Sequence, residues 1–217
     1  MIQTDSGESA RRGLRQRLFA WMHAQESAVE GGYDAAVAPY KRRLFGDLSG
    51  TVLEIGAGTG ENFSFYPPGI HWIGVEPNAY MHPRLLKTAQ QYGIAGELRS
   101  VAAERLPVED GSVDAVVSTL VLCSVSDPAG VLREILRALR PGGRFVFVEH
   151  VAAPDHSRLW WLQKLIKPAW VVVADGCHPD RATGAAIERA GFARVEIEPF
   201  DAPLAIATPH IAGRAVK

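Results

Sequence analysis

Cysteine is scarce in this chain, with Cys123 and Cys177 the two among 217 residues. They stand far apart in sequence without the close spacing of a metal knuckle. Neither a zinc site nor a disulfide framework is expected, and a reducing cytoplasm is the expected compartment. Charge of one sign is not in excess either: 23 Lys and Arg against 24 Asp and Glu leave a formal net charge of −1, with no long basic run. Nucleic acid is therefore not an expected partner, because binding it rests first on neutralising phosphates. Long hydrophobic runs are missing as well. The most apolar stretch, residues 159–174, is broken by Gln163, Lys164, Lys167 and Pro168, well short of the roughly 20 apolar residues of a spanning helix. It is expected to pack on the domain, with weak docking on a membrane surface the lesser alternative. Residues 1–17 carry four arginines and no apolar core before a small-residue cleavage site, so they do not read as a secretory signal.

What is present suits a globular protein: 47% hydrophobic and 22% charged residues, in a length matching one domain with a modest extension. Residues 1–9 have no apolar periodicity and are expected to fray. Leu14, Leu18, Trp21 and Met22 then recur at helical steps until Gly31-Gly32, and a second helix is expected over 33–45. From Thr51 the chain alternates, with strands expected near 51–55, 71–75, 97–101, 113–118 and 143–149 and helices between them. The clearest helix covers 128–139, with Asp127 as its cap, Val131, Leu132, Ile135, Leu136 and Leu139 on its apolar face, and Pro141-Gly142-Gly143 as its stop. A helical, Trp-rich insert over 156–173, a helix near 180–190 and two last strands near 192–198 and 204–215 complete the chain. The expected fold is α/β: a doubly wound, mostly parallel seven-stranded sheet, helices on both faces, and an antiparallel C-terminal edge strand. Ligands in such folds bind beyond the carboxyl ends of the strands, where strand order reverses.

The chemistry begins at Leu53-Glu54-Ile55-Gly56-Ala57-Gly58-Thr59-Gly60. Three glycines at alternate positions directly after a strand permit a tight turn and close approach of backbone to ligand. The dinucleotide fingerprint needs another glycine where Glu61 stands, and a carboxylate at a helix start opposes a pyrophosphate. A ligand without phosphate is indicated. Glu76, in Val75-Glu76-Pro77-Asn78 at the end of the next strand, can accept hydrogen bonds from both ribose hydroxyls; alone it would read equally as a solvated strand-end acid. Glu54 can draw a cationic amine, directly or through water, or serve in a local ion pair.

These segments, with Asp110-Gly111-Ser112-Val113-Asp114 and Leu139-Arg140-Pro141-Gly142-Gly143, resemble the class I S-adenosylmethionine (SAM) dependent methyltransferases over roughly residues 41–191. The resemblance implies SAM as cofactor and no metal. It implies contacts from Glu54, Gly56, Gly58, Gly60, Glu76 and Pro77, with Met81 against the adenine and Leu120 offering backbone to the methionine end. The family's usual adenine-contacting aspartate falls at Ala102, so backbone near Ala103 or the Glu104 carboxylate must serve instead. Residues 1–45 are then expected as a helical extension or lid, and 46–217 as the methyltransferase domain.

A narrower likeness lies outside the cofactor motifs, in Glu61-Asn62-Phe63-Ser64-Phe65-Tyr66-Pro67-Pro68-Gly69, Leu120-Val121-Leu122-Cys123-Ser124-Val125, Glu149-His150-Val151, Asp175-Gly176-Cys177 and Pro209-His210-Ile211. These strings are similar to the microsomal thiol S-methyltransferases, without that family's hydrophobic N-terminus. A small-molecule thiol acceptor is what the similarity implies. Methylation at oxygen, nitrogen or carbon of a quinone, lipid or polyketide is the alternative, followed by a SAM-binding regulator without catalysis. A thiol with a pKa near 8.5 is already a few per cent ionised at neutral pH, so placement can replace a strong base. His150, His178 and Asp175 are the candidate acceptor-side groups; a histidine bonded to backbone, or a plain helix lead-in, is the bland alternative for each. With Asp175 close in sequence, Cys177 is not expected to be an activated thiolate, and neither cysteine is expected to form a covalent intermediate. Trp21, Trp160, Trp161 and Trp170 are candidates to wall an apolar acceptor pocket.

Overall fold

The computed structural model describes residues 32–217 together with Gly13, Gln16, Arg17, Phe19 and Ala20, which are helical. The stripe Leu14, Leu18, Trp21 and Met22, the frayed start over 1–9 and the pocket role of Trp21 lie outside the described residues. Helix α1 spans Gly32–Phe45 and buries Val37, Leu44 and Phe45. Strand β1 (Thr51–Ile55) is buried along nearly its whole length, because it is paired in parallel on both sides, with β2 (His71–Val75) and with β4 (Val113–Thr119). Outside β2 lies the parallel β3 (Gly96–Arg99), and outside β4 the parallel β5 (Leu139–His150). The final hairpin, β6 (Arg194–Asp201) and β7 (Pro209–Val216), sits at the sheet edge as expected. The antiparallel β7 pairs with β5 and β6 is outermost, giving the order β3-β2-β1-β4-β5-β7-β6. Strand order therefore reverses between β1 and β4, and the glycine turn follows β1 at that point.

Two cores result, one on each face of the sheet. One gathers Phe45, Phe63, Trp72, Val52 and Val146 under α1 and α2 (His82–Gln91). The other packs Leu53, Val116, Phe145 and Phe147 against α3 (Pro128–Ala138) and α5 (Thr183–Glu188). In α3 the expected apolar positions Val131, Leu132 and Ile135 are buried. Asp127, expected to cap it, makes no side-chain cap bond; its carboxylate turns instead to the Arg133 guanidinium at 3.4 Å. The helix expected after the glycine turn is reduced to one 3-10 turn, Phe63–Phe65. Pro67-Pro68-Gly69 stops it, since proline bars helix for the residue before it and lacks the N–H to continue.

The insert forms α4 (Arg158–Val173), whose Ser157 cap accepts from the Trp160 amide at 3.1 Å. It is a thinly buried helix. Gln163 is its buried residue, held by Ala153 N–H and the Ile206 carbonyl at 2.8 Å each, while Trp161 is 58% and Leu165 79% exposed. Trp161 thus lies largely on the surface of this helix. No helix among the described residues is long and apolar enough to cross a membrane.

Candidate active site

The glycine turn needs its glycines on two counts. Gly56, Gly58 and Gly60 have φ of +62°, +56° and +89°, the left-handed region that a Cβ disfavours. A Cβ at Gly56 would also lie 2.4 Å from Val121 Cγ2, and one at Gly60 would lie 2.6 Å from the Phe63 ring. The turn is pinned to the end of β2, where Gly56 N–H and Ala57 N–H both donate to the Val75 carbonyl at 2.7 and 3.2 Å. Glu76, the next residue, accepts from Gly58 N–H at 2.9 Å on one oxygen and from Asn78 N–H at 2.8 Å on the other. Each oxygen thus keeps a free lone pair for a ribose hydroxyl. Burial pushes the Glu76 carboxyl up to about 7; the Asn78 and Gly58 amides oppose this, and the charges of Asp175 and Glu61 add to it. His82 fixes the same corner through its Nε2, 2.9 Å from the Glu76 carbonyl.

Glu54 is oriented differently from Glu76. Its two oxygens accept from Asn62 Nδ2 and Trp72 Nε1, each at 2.7 Å, and it is buried. Burial raises its carboxyl to about 7 against those two donors. One donor on each oxygen holds Glu54 to the floor of the turn, where Asn62 also reaches Thr119 Oγ1 at 3.1 Å. The buried Lys41 of α1 adds a cation, its ammonium drawn down by burial and held up by Glu61, Glu54 and Asp34. Lys41, Asn62 and Trp72 were not singled out from sequence; the buried strand run around Glu54 was the available signal, since a carboxylate there needs donors.

The other expected cofactor residues lie along the same edge. Met81 is buried at the start of α2, with Pro77 exposed two residues before the Ala79-Tyr80 turn. Ala103 is buried, whereas Glu104 is partly buried and accepts from Ser126 N–H at 3.0 Å and Ser126 Oγ at 2.6 Å. Its carboxylate ties the loop after β3 to the loop before α3. Leu120, directly after β4, has φ of +56° and donates its N–H to the Val148 carbonyl at 3.0 Å. A leucine in that region costs about 1–2 kcal/mol, and the surroundings hold it there. The fully buried Glu149 accepts from Ser118 Oγ, from Val121 N–H at 3.1 Å and from Leu122 N–H at 3.2 Å. Arg181 donates to the Leu122 and Val125 carbonyls at 2.7 and 2.8 Å from the other side.

The same clamped loop carries Cys123. His150, at the end of β5, places Nε2 3.0 Å from Cys177 Sγ, and Trp170 Nε1 donates to the same sulfur at 3.2 Å. The donor atoms of Cys123, His150 and Cys177 all lie within 4.8 Å of one another, and all three residues are buried. Two sequence expectations change here. The cysteines, distant in sequence, meet in space, because the loops after β4 and α4 are joined by His178 N–H donating to the Cys123 carbonyl at 2.9 Å. Cys177 is also activated: hydrogen bonds from the Cys123 thiol, His150 and Trp170 hold its thiol well below the ordinary range against burial, while Cys123 is pushed up. What surrounds this sulfur is a set of donors.

The remaining candidates fall around this cluster. Asp175 sits at φ +44° in the turn leading to Cys177, close enough to raise Glu76. The His178 ring is partly buried and held below the ordinary imidazole range by burial, Arg181 and Lys167. Two further groups, neither given a role by sequence reasoning, lie beside the cluster. His210 is the register partner of His150 across β5 and β7, and Tyr33 of α1 packs against it with ring centroids 5.6 Å apart. Tyr33 Oη, His150 Nδ1 and His210 Nε2 are buried side-chain atoms without a hydrogen-bond partner.

Comparison with known proteins agrees with this geometry. A methyltransferase domain family matches residues 53–147. The human thiol S-methyltransferase TMT1A is 43% identical over 198 residues, covering 85% of this chain and 81% of the relative. The rat thiol S-methyltransferase TMT1B is 42% identical over 193 residues, covering 82% and 78%. Among solved structures, the [4+2]-cyclase SpnF superposes with a TM-score of 0.73 at 17% identity, over 100% of this chain and 98% of that one. A Thermotoga maritima SAM-dependent methyltransferase, a possible histamine N-methyltransferase, superposes with 0.65 at 20% identity, over 92% and 98%. Those two likenesses establish the fold; the chemistry must come from the site. With a glycine cradle that a Cβ would fill and a buried carboxylate aimed beside it, the chain belongs to the thiol S-methyltransferase family of class I SAM-dependent methyltransferases.

Proposed function

We propose that this enzyme methylates the sulfur of a small apolar thiol. The observation that carries the reading is the reach of the similarity: 85% of the chain aligns with a relative named for thiol S-methylation, which takes in the acceptor-side loops as well as the cofactor half. Gly56, Gly58 and Gly60 leave room for the cofactor, and Glu76 accepts its ribose hydroxyls. Met81 supplies an apolar wall and the Leu120 backbone faces the methionine end. Bound there, SAM supplies a methyl group on a sulfonium sulfur, which an acceptor sulfur takes in one displacement, leaving S-adenosylhomocysteine.

The chain's own residues then place the acceptor. Glu149 and Arg181 fix the loop that carries Leu120 and Cys123, so the acceptor meets a rigid wall, and good placement alone lowers such a barrier by several kcal/mol. Sulfur and imidazole line that wall, while the nearby Glu149 carboxylate is occupied by Ser118, Val121 and Leu122. A thiol, already partly ionised, suits such a site better than a phenol or amine that needs a free base. The test is S-adenosylhomocysteine release with purified protein, SAM and parallel panels of thiols, phenols, amines and quinones. Release with thiols alone is expected. Release confined to another panel overturns the acceptor assignment, and tight SAM binding without release from any panel overturns catalysis in favour of a regulator.

A further inference from the structure

Three donors of one metal-binding character converge at the acceptor wall: Cys123 Sγ, His150 Nε2 and Cys177 Sγ, mutually within 4.8 Å. We propose that they bind a zinc ion whose fourth position takes the acceptor thiol; the second half of this rests on the thiol assignment above. The ligand set is what a borderline-soft divalent ion prefers, and two sulfurs, one imidazole and an open position make up a known form of catalytic zinc site. Charge fits as well. Two thiolates and a neutral imidazole cancel a divalent cation, so the assembled site is neutral where all three residues are buried.

A second, independent observation concerns the orphan nitrogens. His210 Nδ1 lies 2.9 Å from the Thr208 carbonyl. A carbonyl only accepts, so that nitrogen carries the proton and His210 Nε2 presents a bare lone pair. The His150 Nε2–Cys177 Sγ contact does not by itself fix which atom carries the hydrogen, so without an ion the tautomer of His150 is not set. The two neighbouring rings, centroids 6.3 Å apart, bury two ring nitrogens without a partner. An ion on Nε2 forces the His150 proton onto Nδ1, turning the pair into one donor and one acceptor that a single water can join. The Trp170 N–H, 3.2 Å from Cys177 Sγ, is the outer donor that a metal-bound thiolate commonly has.

A disulfide between the two cysteines would leave the imidazole without purpose and needs an oxidant to reach a buried pair. In the zinc site, an acceptor R–SH loses its proton to water as its sulfur bonds to zinc. The bound thiolate then gains the methyl as the sulfonium carbon–sulfur bond breaks, and the neutral thioether, a poorer ligand than a thiolate, leaves. Among the described residues no fourth protein ligand joins the three, so the position is open to this exchange.

The test uses the untagged full chain, purified without oxygen in a phosphine reductant and reconstituted with zinc. Mass-spectrometric metal analysis is expected to give about one zinc per chain. Cobalt exchange should give tetrahedral visible bands and sulfur-to-cobalt charge-transfer absorption that strengthens on adding butanethiol. The double variant Cys123→Ser/Cys177→Ser should lose at least nine-tenths of the metal, while calorimetry with S-adenosylhomocysteine reports that its cofactor half is folded. Failure of the wild-type chain to retain zinc, or a cobalt spectrum without sulfur charge transfer, overturns the site whatever the variant does. If thiols are methylated at full rate after the metal is stripped, the acceptor-binding role falls and the thiol assignment stands. If zinc binds but no thiol is methylated, the thiol assignment falls and the site stands.

Discussion

The Glu76 carboxyl, buried at the end of β2 and raised to about 7, makes cofactor affinity depend on pH with a definite sign. Ribose hydroxyls donate, so the ionised carboxylate is the form that binds both of them. In the free protein burial favours the neutral form up to pH 7, and binding below that pH must expel a proton. Apparent affinity should therefore weaken as pH falls: about twofold at pH 7 and about tenfold at pH 6 relative to its plateau, which is reached near pH 8. Adenosine is the cleanest ligand, because it carries no amine that titrates in this range. Calorimetry in buffers of differing ionisation enthalpy should count about 0.9 proton released per adenosine at pH 6 and about 0.1 at pH 8. Glu54 also titrates near 7, but it faces Asn62 and Trp72. Glu76→Gln should thus abolish the slope and lower affinity at pH 8 by about 1–3 kcal/mol, the scale of lost hydrogen bonds to a charged group. Affinity that stays flat from pH 6 to pH 8, or a slope that survives in Glu76→Gln, refutes the ribose role.

Three further outcomes follow from the same contacts. Gly56→Ala should cost about 2 kcal/mol or more, from a left-handed alanine and its clash with Val121; urea unfolding measures it, and a change below about 0.5 kcal/mol contradicts the geometry. Glu149→Ala strands the Val121 and Leu122 amides, at about 1–3 kcal/mol each, and should lower both stability and turnover, while Glu149→Gln, which keeps one acceptor, should lose less. His150→Ala should reduce kcat far more than it weakens SAM binding by calorimetry, whereas equal loss of both would mark His150 as a packing residue.

The cofactor half was legible because each of its demands is local. Alternate glycines after a buried strand need no knowledge of the rest of the chain, and neither does an acid at the end of the following strand. The acceptor half was legible only as candidates. His150 pairs with His210 because β7 threads between β5 and β6, and Cys123 meets Cys177 through a loop-to-loop backbone bond; neither juxtaposition has any trace in residue spacing. The role of Glu149 is not legible in the sequence, since an acid at the end of an apolar strand shows its need for partners but not which partners. The helix after the glycine turn was lost to Pro67-Pro68, a stop signal already present in the string but outweighed by the expectation of strict strand–helix alternation.

The glycine turn also meets the loop after β4 directly, and that contact orders the effects of substitution around it. Gly56 lies against Val121 so closely that no Cβ fits between them, and Val121 N–H is held by Glu149. The glycine turn and the loop after β4 are thus packed on one another through a glycine hydrogen, with Glu149 anchoring the loop side and Glu76 the turn side. Gly58 donates to Glu76, and a Cβ there would lie 3.2 Å from the Glu61 Oε2, so its contacts are within the turn. Gly58→Ala should then weaken SAM binding with a smaller effect on thiol turnover at saturating SAM, while Gly56→Ala should depress turnover even when SAM saturates. Steady-state kinetics at saturating SAM separates the two, and identical kcat values for both variants would show that the Gly56–Val121 contact does not join the sites.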